Sequence, residues 1–185
     1  VTLIAIFRQV IGIKAFGIYT PLIVTLAFLA SGKLIYGIIL FAIAIILGML
    51  LRVLLRPLRM LYLPRLAIMI TLISLIVFGL LVLGNWIGLP ALSNLSVLPI
   101  IIMIALMEKF IAVSIEKGNR TAIILSLETV IISVICYYVI IWQWLINILI
   151  LYPYLVLFTL PINFLLGKWT GLRISEYLRF RKLIK

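Results

Sequence analysis

The sequence predicts an all-α fold, a polytopic membrane helix bundle. Three observations predict it. Hydrophobic residues make up 67% of the 185 positions, whereas soluble domains sit near half apolar. Those residues come in blocks close to the length that crosses a bilayer. Lys and Arg gather in every second connection between blocks. Hydrocarbon offers no partner for backbone N–H and C=O groups, so each block should be a helix. Two-residue alternation of polarity is missing, which excludes a transmembrane barrel.

The blocks fall at Ile18–Ser31, Leu34–Leu51, Ala67–Gly84, Val97–Ser114, Thr121–Ile141 and Ile148–Gly167. Five approach the ~20 residues a span needs. The first, 14 residues long, reaches only about 21 Å at ~1.5 Å per residue. It is expected to tilt into a thinned region, to extend into its flanks, or to be partly re-entrant. Before it, Val1–Phe7 reads as the end of another apolar helix. With Val rather than Met at position 1, the expectation is a gene product that extends further N-terminally. The expected organisation is 1–17 as the end of a preceding transmembrane helix with its cytoplasmic connection, 18–168 as a six-helix transmembrane domain, and 169–185 as a basic cytoplasmic tail.

Orientation follows from the cations. Arg8 and Lys14 follow the stub, Lys33 stands alone in the next connection, and Arg52, Arg56, Arg59 and Arg65 fill the third. Asn85–Ser96 carries no charge, Glu116–Arg120 carries two cations and one anion, and Gln143–Asn147 again carries none. Lys168, Arg173, Arg179, Arg181, Lys182 and Lys185 close the chain. Basic and weakly charged connections therefore alternate. Basic sides in the cytoplasm give six complete spans plus the end of a seventh, N-terminal one, with the N-terminus out and the C-terminus in. The net charge of +12 is then chiefly topological and attracts anionic lipids; nucleic acid is not an expected partner. Trp86, Trp142, Trp144 and Trp169 mark block ends, where interfacial aromatics belong.

The chain has no His, no Asp and one Cys. Neither a His/Cys metal site nor a Ser-His-Asp or Cys-His nucleophile can be assembled from these residues. No cofactor is expected, and the segment is not expected to be an enzyme. Cys136 reads as a small packed hydrophobe. Of the four carboxylates, Glu116 and Glu176 have nearby cations: Arg120 at i,i+4, and Arg173 and Arg179 at three residues' distance. Glu108 and Glu128 lie inside apolar blocks, where an ionisable group needs a partner or a water-filled cavity. Glu108 is expected to pair with the Arg52–Arg65 loop. For Glu128, a structural hydrogen bond and a functional role stand level.

Two stretches carry a resemblance: Val10-Ile11-Gly12-Ile13-Lys14-Ala15-Phe16-Gly17-Ile18-Tyr19-Thr20-Pro21 and Leu166-Gly167-Lys168-Trp169-Thr170-Gly171-Leu172-Arg173-Ile174-Ser175-Glu176-Tyr177-Leu178-Arg179-Phe180. Leu63-Pro64-Arg65-Leu66 and Met107-Glu108-Lys109-Phe110 stand between them. In this order they resemble the bacterial family in which seven transmembrane helices are fused to an inactive transglutaminase-like domain. The resemblance implies an extracytoplasmic domain of the same polypeptide, preceding residue 1 in the periplasm, which agrees with the charge-derived orientation. It also implies the bacterial inner membrane and a neighbourhood of glutamate or peptide ligation, with an ATP-grasp ligase-like protein as the cytoplasmic partner.

Pro21 opens one helix and Pro99 another, 78 positions apart, each followed six residues later by alanine. Ordinary helix starts explain this. The other reading is a 3+3 inverted repeat, whose broken helices would frame a midplane site. The functional expectation is a non-enzymatic module that couples or scaffolds the extracytoplasmic domain to cytoplasmic partners. The Arg52–Arg65 loop and the tail would serve as docking or lipid surfaces. The alternatives are a transporter or flippase for a peptide-like or glutamate-containing solute, acting through Glu108, Glu128, Pro21 and Pro99, or a membrane subunit of an envelope polymer synthase.

Overall fold

The computed structural model describes residues 1–54, 62–86 and 97–168, and every element among them is helical. Helix α1, Thr2–Ile6, continues into a π-helical turn, Phe7–Ile11. Then come α2, Tyr19–Ala30; α3, Leu34–Leu54; α4, Tyr62–Trp86; α5, Val97–Lys117; and α6, Asn119–Ile141. The chain ends its described part with α7, Gln143–Leu151, a 3₁₀ turn, Pro153–Phe158, and α8, Thr159–Gly167. Helices α3, α5 and α6 are long and apolar enough to cross a membrane, and α7 with α8 counts as a fourth span if taken as one bent element.

That bent element departs from the expectation of one uninterrupted helix over Ile148–Gly167 after a connection at Gln143–Asn147. The helix instead starts at Gln143, and the axis turns by 104° at Tyr152–Pro153. Pro153 has no N–H to continue the ladder, and its ring drives the preceding residue out of the helical region. Tyr152 accordingly sits at φ −130°, ψ 72°. The α6–α7 connection shrinks to Trp142 at ψ 104°. Trp142 and Trp144 are exposed with ring centroids 5.9 Å apart, and Tyr152 and Tyr154 are 5.7 Å apart. Each pair sits at a helix break, as interfacial aromatics would.

The 14-residue apolar block becomes the 12-residue α2, about 18 Å long at ~1.5 Å per residue and too short to span the hydrocarbon unaided. Glu116 and Arg120 do not form the expected helical pair. Gly118, at φ +87°, ends α5 between them in the left-handed conformation that glycine supplies at helix ends. Ser114 donates its hydroxyl to the Asn119 side-chain oxygen at 2.7 Å across this turn.

The chain forms two compact units, Val1–Thr25 with Leu127–Lys185, and Leu26–Ser126. In the second, α3 and α4 pack on α5. Small residues set the separation, as they do where helices associate without a hydrophobic drive between them. A methyl on Gly48 would already sit 3.3 Å from the Phe110 ring, and Met107 and Phe110 are buried against it.

In the first unit, α1 meets α8, and Asn163 donates to the Thr2 hydroxyl at 3.2 Å. Ile4, Ala15, Ile132 and Cys136 form a buried cluster with Leu3, Phe7, Ile13, Ile18 and Leu22 around it. Cys136 is thus the packed residue the sequence suggests. The segment between the π turn and α2 needs unusual backbone: φ is +88° at Gly12, +37° at Ala15 and +98° at Gly17. Nothing lies within 4 Å of where a Gly17 Cβ would stand, so Gly17→Ala isolates the conformational cost. It should lower stability by about 1–2 kcal/mol, read as an earlier thermal transition in detergent. Gly79→Ala, equally open but inside α4, should be neutral or stabilising by up to about 1 kcal/mol.

Candidate functional site

Glu128 is the intramembrane carboxylate with a defined set of partners. It projects from α6, half-buried, and one carboxylate oxygen, Oε2, accepts hydrogen bonds from the backbone N–H of Lys14 at 2.9 Å and of Ala15 at 3.0 Å. The next N–H, that of Phe16, donates to Thr129 Oγ1 at 3.2 Å. Consecutive amides beside a left-handed residue form a concave anion-binding nest. Here the anion is a side chain of the same polypeptide, and Ala15 at φ +37° is the residue that turns the amides together. N–H···carboxylate bonds are charge-assisted and stronger than neutral ones.

The contact answers two problems with one arrangement. A carboxylate within an apolar helix needs donors. A non-helical segment packed into a bundle needs acceptors for its backbone N–H groups, because packing takes them away from water. Residues 14–16 and 128–129 satisfy each other. Beside them a belt of buried hydroxyls joins α2 to α6. Ser133 Oγ donates to Pro21 O at 3.0 Å, and Thr25 Oγ1 approaches Pro21 O at 2.7 Å and Ser133 O at 3.4 Å. Thr20 Oγ1 donates to Phe16 O at 2.9 Å, closing the N-terminus of α2. Thr20, Thr25, Thr129 and Ser133 are all buried.

The other candidates are placed differently. Pro21 is buried, and its carbonyl is the acceptor just described. Pro99 is buried in the first turn of α5. Each is the third residue of its helix, and so are Pro64 in α4 and Pro161 in α8. The first four N–H groups of a helix have no intrahelical acceptor, so proline there sacrifices no bond. Recurrence in four helices makes proline a general starting device of this chain rather than a mark confined to Pro21 and Pro99. Glu108 is exposed near the middle of α5, with no hydrogen-bond or ion-pair partner among the described residues. Its expected partners fall largely outside them: Arg56 and Arg59 are not described, and Arg52 and Arg65 lie in α3 and α4 without described side chains. Arg173, Arg179, Arg181 and Lys182 also lie outside the described residues.

The first-block motif Gly12–Pro21 and Glu128 are separately visible in the sequence, but not as contacts of each other, being more than a hundred residues apart. Sequence reasoning does not single out Thr129 or Ser133. Their signal is the i,i+4 spacing of hydroxyl residues beside a carboxylate in an otherwise apolar helix.

No curated protein and no solved structure matches the chain. A family described as seven transmembrane helices usually fused to an inactive transglutaminase matches residues 1–184. Essentially the whole chain is covered, including the Gly12–Pro21 segment, α6 with its glutamate, and the basic C-terminal region. The chain is therefore a multi-pass membrane protein that belongs to the family of seven transmembrane helices usually fused to an inactive transglutaminase.

Proposed function

We propose that the chain is a non-enzymatic membrane module that holds an extracytoplasmic, inactive transglutaminase-like domain of the same polypeptide and couples it to a cytoplasmic protein. The observation that carries this reading is the engagement of Glu128. The carboxylate best placed to bind a solute or carry a proton is instead bonded to the backbone at Lys14 and Ala15, a structural use. The family description supports the fused domain. Charge alternation supports seven spans, with the N-terminus outside the bacterial inner membrane and the C-terminus inside. Arg52, Arg56, Arg59 and Arg65, with the tail from Arg173 to Lys185, then form the cytoplasmic docking surface. An ATP-grasp ligase-like protein is the partner class the resemblance favours.

The test is purification of the full-length gene product from its own host in mild detergent, with bound proteins identified by mass spectrometry. A stoichiometric cytoplasmic partner is expected, reduced at least tenfold by Arg56→Glu with Arg59→Glu while ligand binding outside the membrane is unchanged. A partner retained in full by the double variant would refute the docking surface. A second reading, transport of a peptide-like solute, draws support from the short α2 and the 104° bend between α7 and α8, since transporters use broken helices. It requires that Glu128→Gln abolish flux while assembly survives.

A further inference from the structure

An open cavity of ≈ 540 Å³ lies in the first unit, lined by α1, the π turn, the Ile13–Ile18 segment and α8. Its polar wall is Arg8, Gln9, Lys14 and Asn163, and its apolar wall includes Ile13, Ile18 and Leu166. Among the described residues, two cations line it and no carboxylate does. The Lys14 amide is turned to Glu128, yet the Lys14 side chain is exposed. Arg8 and Gln9 belong to the π-helical turn that ends α1 at the left-handed Gly12. The volume falls within the range of small-ligand sites, about 300–1,000 Å³.

We propose that this cavity binds the phosphodiester headgroup of an anionic phospholipid. Arg8 meets the phosphate oxygens through its planar fork of donors, and Lys14 adds a second positive charge. Asn163, whose amide N–H donates to Thr2, keeps its side-chain oxygen as an acceptor for the headgroup alcohol. The apolar residues on the same wall, Ile13, Ile18 and Leu166, take the first methylenes of the acyl chains, which a free phosphate would leave unused. Basic pockets between transmembrane helices suit such headgroups. Bound there, the lipid joins α1 to α8 beside the Glu128-held segment and stabilises the first unit.

The experiment compares the full-length protein in nanodiscs of phosphatidylcholine with and without phosphatidylglycerol, followed by native mass spectrometry and thermal denaturation. Phosphatidylglycerol should be retained on release from the disc and should raise the melting temperature. Arg8→Gln with Lys14→Gln should reduce retention at least tenfold and abolish the shift. Ile18→Trp, which fills the cavity without altering charge, should also reduce retention, and it decides the matter should the double variant misfold. Equal retention by the wild type and both variants would overturn the proposal. So would displacement of the effect by millimolar inorganic phosphate with no lipid retained, which would assign the site to a free phosphate ester.

Discussion

Replacing Glu128 with alanine is expected to lower the stability of the folded protein by about 2–3 kcal/mol, the largest effect of any single polar substitution in α6. The variant leaves the amides of Lys14 and Ala15 without their acceptor, and an unmet buried donor costs about 1–3 kcal/mol. The Lys14 amide is partly open to solvent, which keeps the sum toward the lower end. Glu128→Gln keeps an oxygen acceptor and loses only the charge assistance, so about 1 kcal/mol is expected. The order wild type, Gln, Ala should appear in melting temperatures in detergent. It should appear again as faster proteolysis within residues 12–18, the segment the carboxylate holds. Equal loss in Gln and Ala would show that the charge, rather than the acceptor, is what the fold uses.

Gly37→Val is expected to cost about 2–3 kcal/mol through the second unit. A Cβ at position 37 would stand 2.5 Å from Phe28 Cδ1 and 3.1 Å from Phe28 Cα. Phe28 is fully buried, so its ring has no open space to enter, and no rotamer change relieves the crowding against its backbone. Overpacking of this kind costs about 1–3 kcal/mol. Helix propensity works the other way, but valine recovers only a few tenths of the ~1 kcal/mol by which alanine exceeds glycine. The clash therefore wins. Melting temperature, with retention of helical content by circular dichroism, is the readout; an unchanged melting temperature would mean that α2 and α3 are not held this closely.

The all-helical membrane fold was legible because the bilayer leaves a chain few options: long apolar runs must be helices. Boundaries were less legible where local chemistry acts against composition. Tyr152 and Phe164 lie in one apolar run, yet Pro153 between them breaks the axis by 104°. The polar run Glu116–Arg120 marks a connection, but the i,i+4 spacing of its charges suggests a helical pair, and Gly118 at φ +87° turns the chain between them. The candidate site was half legible. Glu128 drew attention as a carboxylate among apolar residues, and Gly12 and Gly17 as part of a family motif. Their union depends on a left-handed Ala15 and on a contact between segments distant in sequence, neither of which a linear pattern encodes. The Pro21–Pro99 echo shows the converse. It stands out in the sequence, but Pro64 and Pro161 occupy the same helical position, so the echo is not specific to the two helices that Pro21 and Pro99 open.

The central claim is that Glu128 is a tether for the segment entering α2, which leaves the bundle a coupling module rather than a solute pathway. Hydrogen exchange of the Lys14, Ala15 and Phe16 amides in the full-length protein, wild type against Glu128→Gln, tests it most directly. The tether predicts slow exchange of these three amides in the wild type and about fivefold faster exchange at Lys14 and Ala15 in the variant, the equivalent of the ~1 kcal/mol expected for loss of charge assistance. Fast exchange in the wild type, unaltered by Glu128→Gln, would contradict it and return Glu128 to a transport role.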